Sequence, residues 1–254
     1  KGTDDLAQQA RQALLKGETA LAEQWLRRQE ETVAAAAQDN RREAAQRARE
    51  IASLAIGRDS LAALDALARA ASYLPDDFWI RVELGDAQSV MGQSAAALAT
   101  YRAAFAIAES QAARDPANTE WQRDLSISHD RIGNVLVAQG DGAGALAAFR
   151  KSLSIRETLA ARDPANTQWQ RDLLVSHNKI GDVLVAQGDG AGALAAYRKG
   201  LAIAEALAAR DPANIEWQRD LSVSHNKIGD VLVGKGGRTR GLASYQKKPG
   251  IGKE

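Results

Sequence analysis

The chain has 254 residues, with 33 Lys+Arg against 32 Asp+Glu and no cysteine. That near-neutral balance leaves no global field to draw nucleic acid or a membrane surface, and the missing cysteines exclude a disulfide framework and a thiolate site. Hydrophobic residues make up 45% and aromatics only 5%, an alanine-rich mix that suits helices packed closely through small side chains. No apolar run approaches the ~20 residues needed to cross a bilayer. The opening Lys-Gly-Thr lacks a methionine, so the start of the gene product is expected upstream. A reducing, cytoplasmic setting is the expectation for the part seen here.

In chain order, the best ruler is a set of turn glycines. Gly17, Gly57, Gly92, Gly140, Gly188 and Gly236 each separate two runs rich in alanine and leucine, and the last three intervals are all 48 residues. Each glycine reads as the break inside a helical hairpin, where it takes the left-handed conformation past a helix end. About six hairpins are therefore predicted. The first pairs Asp5–Lys16 with Thr19–Gln38, and Leu21, Trp25 and Leu26 form one apolar stripe. The second pairs Asn40–Ile56 with Asp59–Ser72, with Leu61, Leu64 and Leu67 as its stripe, and Pro75 ends it. The third pairs Asp77–Met91 with Ser94–Arg114.

The long repeat then runs without insertions from Asp115, Asp163 and Asp211. Pro116, Pro164 and Pro212 end the preceding helices, and Asn118, Asn166 and Asn214 are predicted N-caps. Trp169, Leu173, Ser176, Ile180, Val183 and Leu184 fall on one helical face. Gly188 stops that helix, and Asp189 caps the next, whose stripe is Ala193, Leu194, Tyr197, Leu201 and Leu207. The last copy decays. Gly236, Gly237, Gly241 and Pro249 predict a short helix at Leu242–Lys247 and a disordered basic tail at 249–254. From Lys235 onward six basic residues stand against Glu254 alone. No polar capping helix follows, which predicts self-association through an exposed C-terminal end.

Leu84-Gly85, Ile132-Gly133 and Ile180-Gly181 are each followed twelve residues after the glycine by alanine (Ala97, Ala145, Ala193). An aromatic follows four later (Tyr101, Phe149, Tyr197), and a weaker copy runs from Ile228-Gly229 to Tyr245. This pattern resembles the tetratricopeptide repeat (TPR), in a bacterial form with units lengthened to 48 residues and, more distantly, kinesin light chains. The resemblance implies an all-α, right-handed superhelical solenoid of antiparallel helix pairs. Residues 1–74 are expected to form two divergent hairpins. Residues 75–248 form the array, with hairpins at about 76–114, 118–162, 166–210 and 214–248.

By the same resemblance, the first helix of each unit lines a concave, partner-binding groove. The positions that face it are Asp130 and Asn134, Asn178 and Asp182, Asn226 and Asp230, with Val137, Val185 and Val233 below them. Each polar pair is i,i+4 and shares a face, and an asparagine ladder both donates to and accepts from a peptide backbone. The bland alternative is a solvated polar row on a recent duplication. The basic carboxylate clamp of some family members would want lysine where Asn178 and Asn226 stand.

His129, His177 and His225 lie one per repeat, a layer or more apart, too far to converge on one metal. They read as part-buried imidazoles, and Trp121, Trp169 and Trp217 as core or interface plugs. Gly140–Gly144 (GDGAG) resembles a phosphate loop on paper, but it joins two helices and lacks a lysine. No catalytic constellation, metal or cofactor is expected, so the chain reads as no enzyme. The function expected is a protein–protein interaction scaffold holding an extended peptide. The alternative is a regulatory or peptide-sensing domain of a larger protein whose effector domain lies elsewhere. RNA binding is disfavoured because Asp182 and Asp230 would repel phosphate.

Overall fold

The structure is a computed structural model that describes residues 2–36 and 40–234. The described residues form α1 (Gly2–Leu15), α2 (Thr19–Ala36), α3 (Arg41–Ala55), α4 (Ser60–Tyr73), α5 (Phe78–Val90) and α6 (Ser94–Arg114). Then come α7 (Thr119–Ala138), α8 (Gly142–Arg162), α9 (Thr167–Ala186), α10 (Gly190–Arg210) and α11 (Ile215–Gly234). No strand occurs among the described residues. Five glycines, Gly17, Gly57, Gly92, Gly140 and Gly188, have φ between 72° and 82° and turn the chain inside five hairpins. At such φ a side chain would be strained, so glycine is the residue of choice. Gly236, the expected helix at Leu242–Lys247 and the tail at 249–254 lie outside the described residues.

The chain divides into two compact units, 1–113 and 114–254, whereas the sequence places the change of character at Pro75. The third hairpin shows why. Its Gly85 keeps the register of the 48-residue repeat, but Ile80 and Leu84 of α5 share one core with Ile51, Ala52 and Leu67 of the second hairpin. Packing groups it with the first two hairpins; sequence similarity groups it with the later ones.

In the first unit the core is built mainly from alanine. Ala44, Ala48, Ala63, Ala66 and Ala70 are 0–3% exposed, which lets the helix axes approach closely. Of the expected stripes, Leu26 and Leu67 are buried with Trp25 and Leu64 packed against the same core, and one member of each needs correction. Leu61 is 66% exposed and Leu21 38%, while their neighbours Ala63 and Ala22 are buried. At close axial distance a methyl fills the seam and a leucine at its edge is turned outward.

In the second unit the predicted caps form. Asn118, Asn166 and Asn214 each accept from the backbone N–H of the tryptophan three residues on, at 3.1 Å. Asp141 and Asp189 accept from Gly144 and Gly192 N–H at 2.8 Å, opening α8 and α10. The loop that resembles a phosphate cradle therefore has a backbone donor taken by its own carboxylate. Asp115, Asp163 and Asp211 accept from the N–H two residues on, at 3.0–3.1 Å. These Asx turns carry the chain through each Asp-Pro.

Candidate partner-binding groove

Within the second unit, α8 packs between α7 and α9, and α10 between α9 and α11. Side chains one repeat apart join the first helices of successive hairpins. Arg123 Nε donates to Asp172 at 2.9 Å and Arg171 Nε to Asp220 at 2.6 Å. Inside each hairpin a bare glycine admits an aromatic ring. A Cβ on Gly133 would stand 2.5 Å from the Phe149 ring, and one on Gly181 2.3 Å from the Tyr197 ring. The glycine and aromatic positions are thus two halves of one contact.

The nine expected groove residues separate into two sets. Asn134, Asp182, Asp230, Val137, Val185 and Val233 are all exposed, with the valines 41–48% accessible. The other polar row is corrected by burial. Asp130 is 4% exposed and Asn178 8%, and Asn226 is intermediate. Three residues before the motif glycine, the helix has rotated this row toward the second helix, so it cannot form a surface ladder.

What the buried row does differs between repeats. Asp130 Oδ2 lies 2.9 Å from Arg156 Nη1 and 3.2 Å from Lys179 Nζ. Arg156, 5% exposed, also donates to Ser126 Oγ at 3.3 Å, Ser176 Oγ at 2.7 Å and the Asp172 carbonyl at 3.1 Å. One repeat on, Asn178 replaces the aspartate, Ala204 the arginine and Gly200 the serine at 152. The buried ion pair is removed as a set, while the lysine is kept as Lys227.

Equivalent pockets recur at the surface. One of about 510 Å³ is bounded by Asn134, Val137, Gly140, Phe149, Lys179 and Asp182. The next, about 490 Å³, uses the same positions one repeat later: Asp182, Val185, Gly188, Tyr197, Lys227 and Asp230. Lys179 Nζ stands 5.2 Å from the Phe149 ring centre and Lys227 Nζ 5.5 Å from that of Tyr197, within reach of cation–π attraction. Tyr197 donates its hydroxyl to Asp182 at 2.6 Å, and Lys227 meets the same oxygen at 2.6 Å.

These contacts set the electrostatics. Burial first, then the bond to Asp182, pushes the Tyr197 hydroxyl well up. Burial holds Lys179 below the usual lysine value against the pull of Asp130. His129 and His177 are depressed chiefly by burial, with Lys151 and Lys199 adding to it. His177 and His225 are 7% and 5% exposed, and no group of acids, histidines and cysteines suited to a metal occurs among the described residues. Trp121, Trp169 and Trp217 are half-buried. The lysine over each ring and the buried Arg156 were not singled out from sequence. The signal was present in the repeat: tyrosine accompanies aspartate and phenylalanine accompanies asparagine.

No family model matches the chain, and no curated protein matches it. Solved structures do. BtubC (BKLC) from P. vanneervenii is similar over 100% of this chain and 96% of its own, at 12% identity and a TM-score of 0.66. PilW, a type IV pilus biogenesis factor, is similar over 95% of this chain and 90% of its own, at 14% identity and a TM-score of 0.58. A tetratricopeptide repeat protein from Parabacteroides merdae is similar over 96% of this chain and 78% of its own, at 13% identity and a TM-score of 0.56. At these identities the likeness concerns the fold: the chain is an all-α helical repeat of the tetratricopeptide type.

Proposed function

We propose that the chain is a protein–protein interaction scaffold whose second unit holds an extended partner segment along the exposed row Asn134, Asp182 and Asp230, with Val137, Val185 and Val233. The observation that carries this reading is the repetition of one pocket at a 48-residue interval, about 510 and 490 Å³. An open concavity with an aromatic floor, one apolar wall and one polar wall takes a side chain, and two in series take two from one strand. Asp182 and Asp230 oppose phosphate, which favours a polypeptide over a nucleic acid. No helix among the described residues is long and apolar enough to cross a membrane, and the cysteine-free composition suits work in the cytoplasm.

The test uses peptides selected from a random library on the full chain. Replacing both exposed valines, Val137→Glu with Val185→Glu, leaves the buried rows untouched and is expected to weaken the selected peptides by roughly tenfold or more. Unchanged affinity with intact helicity would move the binding surface elsewhere. Asp182 is a poor choice for this purpose, because it also holds Tyr197 and Lys227.

A further inference from the structure

In the first unit, a groove between the second hairpin and α5 occupies the place that the pockets of the second unit occupy, yet it is differently furnished. It has a volume of about 610 Å³. Eight residues past the capping aspartates Asp141 and Asp189 stand the rings of Phe149 and Tyr197; eight past Asp59 stands Leu67. Seven residues before the turn glycines stand Gly133 and Gly181; seven before Gly57 stands Glu50. A ring cannot lie on a residue that carries a Cβ at that distance, so glycine and ring have been lost together. Ala87 stands where the later copies have Val183 and Val231, and Glu83 where they have Lys179 and Lys227. Leu67 and Ala87 are smaller than the residues they replace and Glu50 is larger, and a carboxylate stands where the later copies have an ammonium group.

Its walls are Ala52, Ala63, Leu67 and Ala87, and at its mouth Ile56 and Val90 are 69% and 82% exposed. Glu50, Glu83 and Asp86 also line it, against Arg49 as the single cation. Arg49 Nε donates to Glu83 at 2.8 Å, Arg47 beside the groove pairs with Glu50 at 2.9 Å, and Asp86 accepts from Tyr101, so three carboxylates meet two guanidinium groups and the balance stays negative. A cavity of this size with apolar walls and a net negative lining has the shape and chemistry suited to a ligand.

We propose that this groove is a second docking site, and that its occupant is a partner polypeptide segment presenting an aromatic side chain flanked by lysine or arginine. The molecule itself supplies the template. In each sister groove a ring of the chain fills this place and a lysine of the next helix stands over it. Here the ring is missing, and the residue in the lysine's place is a carboxylate. A segment from outside restores the pairing when it lays a ring on the wall of Leu67 and Ala87 and brings a cation to the carboxylates. The site lies in the first unit and is independent of the groove formed by Val137 and Val185.

The experiment uses the full chain and three short acetylated, amidated peptides: Ala-Lys-Phe-Lys-Ala, Ala-Lys-Ala-Lys-Ala and Ala-Glu-Phe-Glu-Ala. Binding is followed by methyl chemical shifts of Ala52, Ala87 and Val90. The first peptide is expected to move these methyls and to bind roughly tenfold tighter than either of the others. Ser53→Trp, at an exposed position in the groove wall, is expected to abolish the shifts without affecting the fold. The double valine variant of the second unit is expected to leave them unchanged. Equal binding of the three peptides, shifts only at the methyls of Val137 and Val185, or insensitivity to Ser53→Trp would each overturn the proposal.

Discussion

Tyr197 donates its hydroxyl to Asp182 at 2.6 Å, and Tyr101 makes the same bond to Asp86 at 2.5 Å in the third hairpin. Between them, the fourth hairpin has Phe149 and Asn134 at the two positions. Hydroxyl and carboxylate come and go together, because a buried phenol without an acceptor leaves a desolvated donor. Tyr197→Phe is expected to cost about 1.5–3 kcal/mol, the range for a hydrogen bond to a charged group. With Asp182→Asn added, the total should fall short of the sum, as a double-mutant cycle in denaturant would show. The raised hydroxyl also sets a sign with pH. Below the usual tyrosine value of about 10 the contribution is intact. Above it the unfolded chain ionises first, so stability falls as pH rises.

Gly181 and Gly133 are needed for contact rather than for backbone conformation, since both lie inside helices. Alanine there is the better helix former by about 1 kcal/mol. The ring 2.3 Å from the added Cβ is expected to reverse that preference. Gly181→Ala should lower stability by about 1–3 kcal/mol through overpacking. Calorimetry showing a gain in stability would mean that the ring moves aside freely.

The buried pair of Asp130 and Arg156 offers a test written into the chain. Arg156→Ala alone leaves the buried Asp130 carboxylate with only Lys179 as its cation and is expected to cost about 3 kcal/mol, the low end for breaking a buried pair. Combining it with Asp130→Asn reproduces the combination found one repeat later, Asn178 with Ala204, and should recover most of the loss. Lys179 keeps its place over Phe149 in both variants. Denaturant midpoints of the parent and the two variants decide the matter.

Acid should destabilise the second unit through its histidines. Burial holds His129 and His177 below the usual imidazole value. Between that value, about 6.5, and the depressed folded one, only the unfolded chain takes up the proton. Their contribution is complete above about 6.5 and declines as pH falls. His177→Gln should flatten the drop in Tm between roughly pH 7 and 5. Asp124 acts in the opposite sense. Burial raises it to about 6, so its stabilisation is present at low pH and lost as pH rises through that value. Asp172 and Asp220 each receive an arginine from one repeat earlier; for Asp124 that position is Pro75. Asp124→Asn is accordingly expected to raise Tm at neutral pH and to change it little near roughly pH 4.

The sequence by itself determined the helices, their caps and turns, and the register of the repeat. Those features depend on local chemistry: a capping Asn118 or Asp141, a Pro164 that cannot continue a helix, a Gly188 that reverses the chain. It also determined which rows of residues are equivalent, because a fixed period needs no third dimension. Only the tertiary structure decided which row faces out. Asp130 and Asn134 are one turn apart on the same helix, and a modest rotation about its axis buries the first against Arg156 and exposes the second. The close approach of alanine-lined helices likewise turned Leu61 outward and let Ala63 fill the seam. That Leu67, Glu50 and Glu83 furnish a groove unlike its sisters was readable only once packing had shown what a ring, a glycine and a lysine do together in the later copies.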